Sequence, residues 1–108
     1  MTTSLGDKIR GLRTERKLTL DKLAELTESS KSYIWELENK TPPRPSAEKL
    51  SRIAAAFGVT IEYLMDAQGA VSEEDAEDAA FYRKYQRMDP GTKAKLRSLV
   101  DIWDDDDG

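Results

Sequence analysis

Apolar residues along this chain recur with a helical period, not an alternating one. Leu5, Ile9 and Leu12 are spaced i, i+4, i+7 and share one face of a first helix, with Ser4 at its cap position. Thr19 caps a second helix whose inward stripe is Leu20, Leu23, Ala24 and Thr27. The polar stretch Glu28-Ser29-Ser30 breaks that pattern, and Ser30 caps a third helix ending near Asn39, with Ile34 and Leu37 pointing inward. Thr41-Pro42-Pro43-Arg44-Pro45 is excluded from helix interior, because proline lacks the N–H and its ring clashes with the preceding turn. Ser46 opens a fourth helix carrying Leu50, Ile53, Ala54 and Phe57, and Gly58 stops it. Thr60 caps a short fifth helix with Ile61, Leu64 and Met65.

Small residues around Gly69 mark residues 67–72 as a linker. Glu73, Glu74, Asp75, Glu77 and Asp78 follow, a charge pattern that favours a helix N-terminus. That helix carries Phe81, Tyr85 and Met88. Asp89-Pro90 is a cap followed by proline at the first helical position. The last helix presents Leu96, Leu99, Val100 and Trp103 at i, i+3, i+4, i+7. The pattern predicts an all-α chain with a five-helix domain over 1–66, a linker over 67–72, a two-helix appendage over 73–103 and a disordered acidic tail over 104–108.

Composition narrows the function. Cysteine and histidine are both absent, which excludes disulfides and thiol catalysis and argues against a zinc site. No apolar run approaches the ~20 residues of a membrane span, and the start lacks a signal-peptide stretch. A cytoplasmic protein is expected. There is no Gly-rich phosphate loop and no Ser/His/Asp set, so an enzyme is not expected, and neither is a cofactor. The formal net charge is −4, but it is unevenly spread: residues 1–66 hold 11 basic against 10 acidic residues, and residues 67–108 hold 6 against 11. The acidic balance therefore belongs to the appendage.

Two short helices joined by a tight turn leave little room where they cross. Ala24 occupies that crossing, and Ile34 and Leu37 lock the second helix of the pair onto the core. The stretch Leu23-Ala24-Glu25 … Ser30-Lys31-Ser32-Tyr33-Ile34-Trp35-Glu36-Leu37-Glu38-Asn39, with the helix pair after the proline loop, resembles the lambda-repressor-like, Cro-type (XRE) helix-turn-helix family over residues 5–66. The family usually has glycine in the turn, where this chain has Glu28. The resemblance implies a five-helix lambda-repressor-like domain that binds double-stranded DNA, with the third helix entering the major groove.

On that helix, 100° per residue from Ile34 puts Ser32, Glu36 and Asn39 on the outward face, flanked by Tyr33 and Trp35, with Lys31 near the N-terminal end. Glu36 fits acceptance of a hydrogen bond from cytosine N4. By resemblance, Thr19 and Ser30 offer hydroxyls and free N–H groups to phosphates, and Asn39, Lys40 and Arg44 clamp the opposite backbone. The resemblance also implies that Arg13 pairs with Glu38 instead of DNA. Lys8, Lys22, Lys49 and Arg52 are expected on solvated faces.

Phe81, Tyr85, Met88, Leu96, Leu99, Val100 and Trp103 form an apolar set that two helices cannot bury by themselves. A homodimer reading two half-sites is the expected use. The expected function is repression of a mobile-element or autoregulated operon. The alternative is an antitoxin-like interaction module, whose C-terminal helices hold a partner protein.

Overall fold

The structure is a computed structural model that describes residues 4–40 and 44–107, the last three of these by their backbone alone. Among the described residues it contains seven helices and no strand: α1 (Leu5–Glu15), α2 (Leu20–Leu26), α3 (Lys31–Asn39), α4 (Ala47–Phe57), α5 (Ile61–Leu64), α6 (Glu73–Gln86) and α7 (Pro90–Asp107).

Local chemistry sets the helix starts. Ser4, Thr19, Ser30, Ser46, Thr60 and Ser72 each hold an extended backbone and accept a hydrogen bond from the N–H three residues on. Each such bond satisfies a donor that the helix leaves orphaned, for about 1 kcal/mol. Ser72, at the end of the stretch expected as linker, is therefore the N-cap of α6. Asp89 performs the same service for α7, accepting from the Thr92 N–H at 3.0 Å. Gly58 ends α4 with φ at +70°, a left-handed cap that a Cβ would disfavour.

The core of the first five helices is the predicted inward set. Ile9, Leu12, Leu23, Ala24, Ile34, Leu37, Ile53, Ala54, Phe57 and Leu64 are buried in one cluster with Val59. α1 and α3 approach so closely that a Cβ on Gly6 would lie 2.3 Å from the Leu37 carbonyl oxygen. That contact is backbone against backbone, so no side chain can yield there.

The C-terminal helices differ from the sequence expectation in three ways. Ala76, outside the expected stripe, is the α6 residue that enters the core, at 1% exposure. Met88 lies in the turn beyond Gln86 instead of on α6. α7 continues to Asp107 through the run expected to be a disordered tail, because neither glycine nor proline interrupts Leu96 to Asp107.

Candidate nucleic-acid interface

α2 and α3 meet through the turn Thr27-Glu28-Ser29. Thr27 is fully buried, and its hydroxyl donates to the Leu23 carbonyl at 2.8 Å, so the buried polar atom is satisfied. Glu28 has φ +54°, the left-handed conformation that glycine supplies elsewhere in such turns. The turn takes this left-handed conformation without glycine.

α3 is two-faced. Ile34, Leu37 and Glu38 are buried, while Lys31, Ser32, Trp35, Glu36 and Asn39 are exposed. The exposed set matches the row predicted to face outward. Tyr33 departs from it: the ring is half-buried against the core, and burial pushes its hydroxyl above the usual tyrosine pKa. Trp35 remains 45% exposed, with the Lys40 ammonium 5.6 Å from its ring centroid. Lys31 lies 3.7 Å from Asp21 on α2. Glu36 is exposed on the same face, where its carboxylate can meet a ligand.

Glu38 anchors α3 from below. Its carboxylate, 1% exposed, receives Arg13 Nε at 2.7 Å and Arg13 Nη2 at 3.0 Å, with Arg10 Nε at 3.4 Å. The hydrogen bond to Glu38 holds the Arg13 guanidinium above its ordinary pKa. The Arg13–Glu38 pairing expected from the sequence is present, and Arg13 is turned away from the exposed face. Arg10 reaches further and donates through Nη2 to Asn39 Oδ1. Asn39 Nδ2 donates to the Trp35 carbonyl at 2.9 Å, so the amide is held at the end of the exposed row.

The edges carry donors. Thr19 and Ser30 accept from Lys22 N–H and Tyr33 N–H, both at 3.0 Å, which leaves each hydroxyl hydrogen available to a phosphate oxygen. Lys40 and Arg44 are exposed after α3; Thr41, Pro42 and Pro43 between them lie outside the described residues.

Three of the four cations expected on solvated faces are engaged. Lys8 Nζ donates to the carbonyls of Tyr63 and Asp66, at 2.8 and 2.7 Å, and so caps the end of α5. Lys49 Nζ donates to the Thr27 and Glu28 carbonyls and to Ser29 Oγ. Arg52 Nη2 lies 3.0 Å from Glu28 Oε2. Lys22 alone fits the expectation, exposed with only Glu25 beside it at 3.7 Å. Sequence reasoning also passed over Arg10 and Gly6. A non-glycine residue in the turn was the one signal in the sequence that asked for an outside support such as Lys49.

The profile of a family described as a helix-turn-helix domain matches residues 6–70. The immunity repressor protein of Bacillus phage phi105 is 34% identical over 74 residues, covering 68% of this chain and 51% of that protein. This chain therefore spans about half the length of that relative. The HTH-type transcriptional regulator SinR of Bacillus subtilis is 31% identical over 100 residues, covering 90% of this chain and 89% of that protein. Among solved structures, SinR in complex with DNA superposes with a TM-score of 0.55 at 31% identity, over 57% of this chain and 98% of that one. A SinR/SinI complex aligns over 93% of this chain with a TM-score of 0.56 at 23% identity, a likeness of fold alone.

Proposed function

This chain belongs to the helix-turn-helix domain family, and we propose that it is a sequence-specific, DNA-binding transcriptional repressor that lays α3 in the major groove. The observation that carries this reading is the exposed row Ser32, Trp35, Glu36 and Asn39 on a helix whose other face is locked into the core. The similarity of the chain to the regulator SinR and to a phage immunity repressor supports the same use. Such a protein works in the cytoplasm, where the bacterial chromosome is.

Roles follow from position. Ser32 and Glu36 lie one turn apart and reach neighbouring base pairs, with Glu36 accepting from cytosine N4. Asn39, fixed by Arg10, and Trp35 complete the reading edge. Lys31, Tyr33, Lys40, Arg44 and the capping hydroxyls of Thr19 and Ser30 hold phosphates and set register without carrying sequence information.

The protein acts as a dimer on two half-sites through α6 and α7. Phe81, Leu99, Val100 and Trp103 are 45–64% exposed, and Tyr85 and Leu96 are half-buried in a groove of about 380 Å³ shared with Val100. Contiguous exposed apolar surface of this kind marks a protein contact. The same surface supports the second reading, a different protein as the partner. Light scattering on the full chain separates them: a dimer dispersed by Leu99→Ser with Trp103→Ser supports self-association, and a monomeric wild type overturns it.

Selection of bound sequences from a random duplex pool tests the function. The reading predicts an enriched site with two related half-sites about one helical turn apart. It also predicts that Glu36→Gln relaxes preference at a C·G pair. An unenriched pool contradicts the reading.

A further inference from the structure

We propose that Lys49, on α4, is a positioning residue for DNA recognition: its ammonium holds the turn between α2 and α3 in the left-handed conformation that sets the angle of the reading helix. The inference deepens the DNA-binding reading above and rests on it.

The turn has a need and α4 meets it. Glu28 sits at φ +54°, a conformation strained for a residue with a Cβ. An ammonium has three N–H donors. Lys49 Nζ spends them on three consecutive turn residues: the Thr27 carbonyl at 3.1 Å, the Glu28 carbonyl at 3.2 Å and Ser29 Oγ at 2.7 Å. These bonds favour the orientation in which both carbonyls converge on one point, which is the left-handed turn. The same nitrogen lies 5.5 Å from the Tyr33 ring centroid, so it joins the turn to α3 itself. Arg52, one turn further along α4, steadies the Glu28 carboxylate at 3.0 Å. Ser29 also donates its N–H to the Ala24 carbonyl at 2.8 Å, which ties the turn back to α2. α3 begins two residues later at Lys31, so a shift of the turn becomes a tilt of Ser32 and Glu36.

The test uses the full chain, the best duplex from the random pool and an unrelated duplex, at a temperature well below every variant's Tm. Lys49→Met is expected to reduce preference for the selected duplex by about tenfold, the loss of one misaligned base contact. Adding Glu28→Gly restores the preference, because glycine adopts the left-handed turn unaided. The dependence of affinity on salt keeps its slope. Unchanged preference overturns the proposal, and so does a loss that Glu28→Gly leaves in place. A salt slope reduced by about one overturns it in favour of a direct phosphate contact by Lys49. A thermal cycle tests the clamp without DNA: Lys49→Met should lower Tm less when Glu28→Gly is present, and equal losses mean that ammonium and turn are uncoupled. If the wild type binds no duplex, the DNA-binding reading fails, while the thermal cycle still decides the clamp.

Discussion

At the scale of single residues, Glu38 and Gly6 fix where α3 sits. A carboxylate enclosed to 1% exposure is tolerable because the Arg13 fork and Arg10 meet it. Arg13→Met leaves that charge without its main partner and should cost about 3 kcal/mol or more, read as a fall in Tm or in denaturant midpoint. Pairing Arg13→Met with Glu38→Leu should recover most of the loss; failure to recover any of it means that the arginine acts mainly by packing. Gly6→Ala forces a Cβ to 2.3 Å from a carbonyl oxygen, so α1 and α3 must separate. Overpacking of this kind costs roughly 1–3 kcal/mol, and equilibrium unfolding of the variant measures it. Neither residue's importance comes from its own helix. Arg13 was assigned its partner through resemblance, whereas Gly6 carries no mark in the sequence that distinguishes a close crossing from an ordinary helical glycine.

At the scale of elements, what is local in sequence was legible and what is contributed from elsewhere was not. Ser4, Thr19, Ser30, Ser46 and Thr60 open their helices as read, because a cap is a bond between a residue and its third neighbour. The outward row of α3 was legible for the same reason, since helical geometry places it opposite Ile34. Tyr33 was drawn half into the core by packing, and Lys8, Lys49 and Arg52 were drawn onto α5 and the α2–α3 turn, by contacts between residues 20 to 58 positions apart. The Asp89 cap yields a test of local chemistry. The Thr92 backbone N–H, and then its hydroxyl, hold the Asp89 carboxyl below the usual carboxylate range. A folded pKa depressed below the unfolded one makes a contribution that is fully present above the unfolded value and lost as pH falls through the folded one. Acidification should therefore unwind the start of α7 before the α1–α5 domain. Asp89→Asn should abolish that early step in the NMR pH titration of the Thr92 amide, and a step that persists places the titrating group elsewhere.

At the scale of the whole molecule, α6 belongs to two bodies of contact. Its first half is docked: Ala76 enters the core, and Arg16 reaches from the end of α1 to the Phe57 carbonyl at 3.0 Å and to Glu73 and Glu77 at 3.5 Å each. Arg83 adds an exposed bridge to Glu62 at 3.1 Å. Its second half and α7 leave Phe81, Tyr82, Leu99, Val100, Ile102 and Trp103 open. This division explains why composition alone left the use of residues 73–103 undecided: the amphipathic pattern of α6 is weak, because one end faces the domain and the other faces out. Arg16→Ala should speed amide hydrogen exchange at Ala76 and leave α2 and α3 unchanged; equal protection in both proteins means that Arg16 does not hold α6. In the proposed dimer, an anchored α6 would hold the reading helix of each copy at a set distance from the shared interface, which favours operators of one half-site spacing. All of this serves the central claim that α3 reads DNA, and the most direct test is the amide NMR spectrum of the full chain titrated with the duplex selected from the random pool. The account predicts the largest shifts from Ser30 through Lys40, with smaller ones at Thr19; shifts confined to α6 and α7, with α3 unmoved, would contradict it.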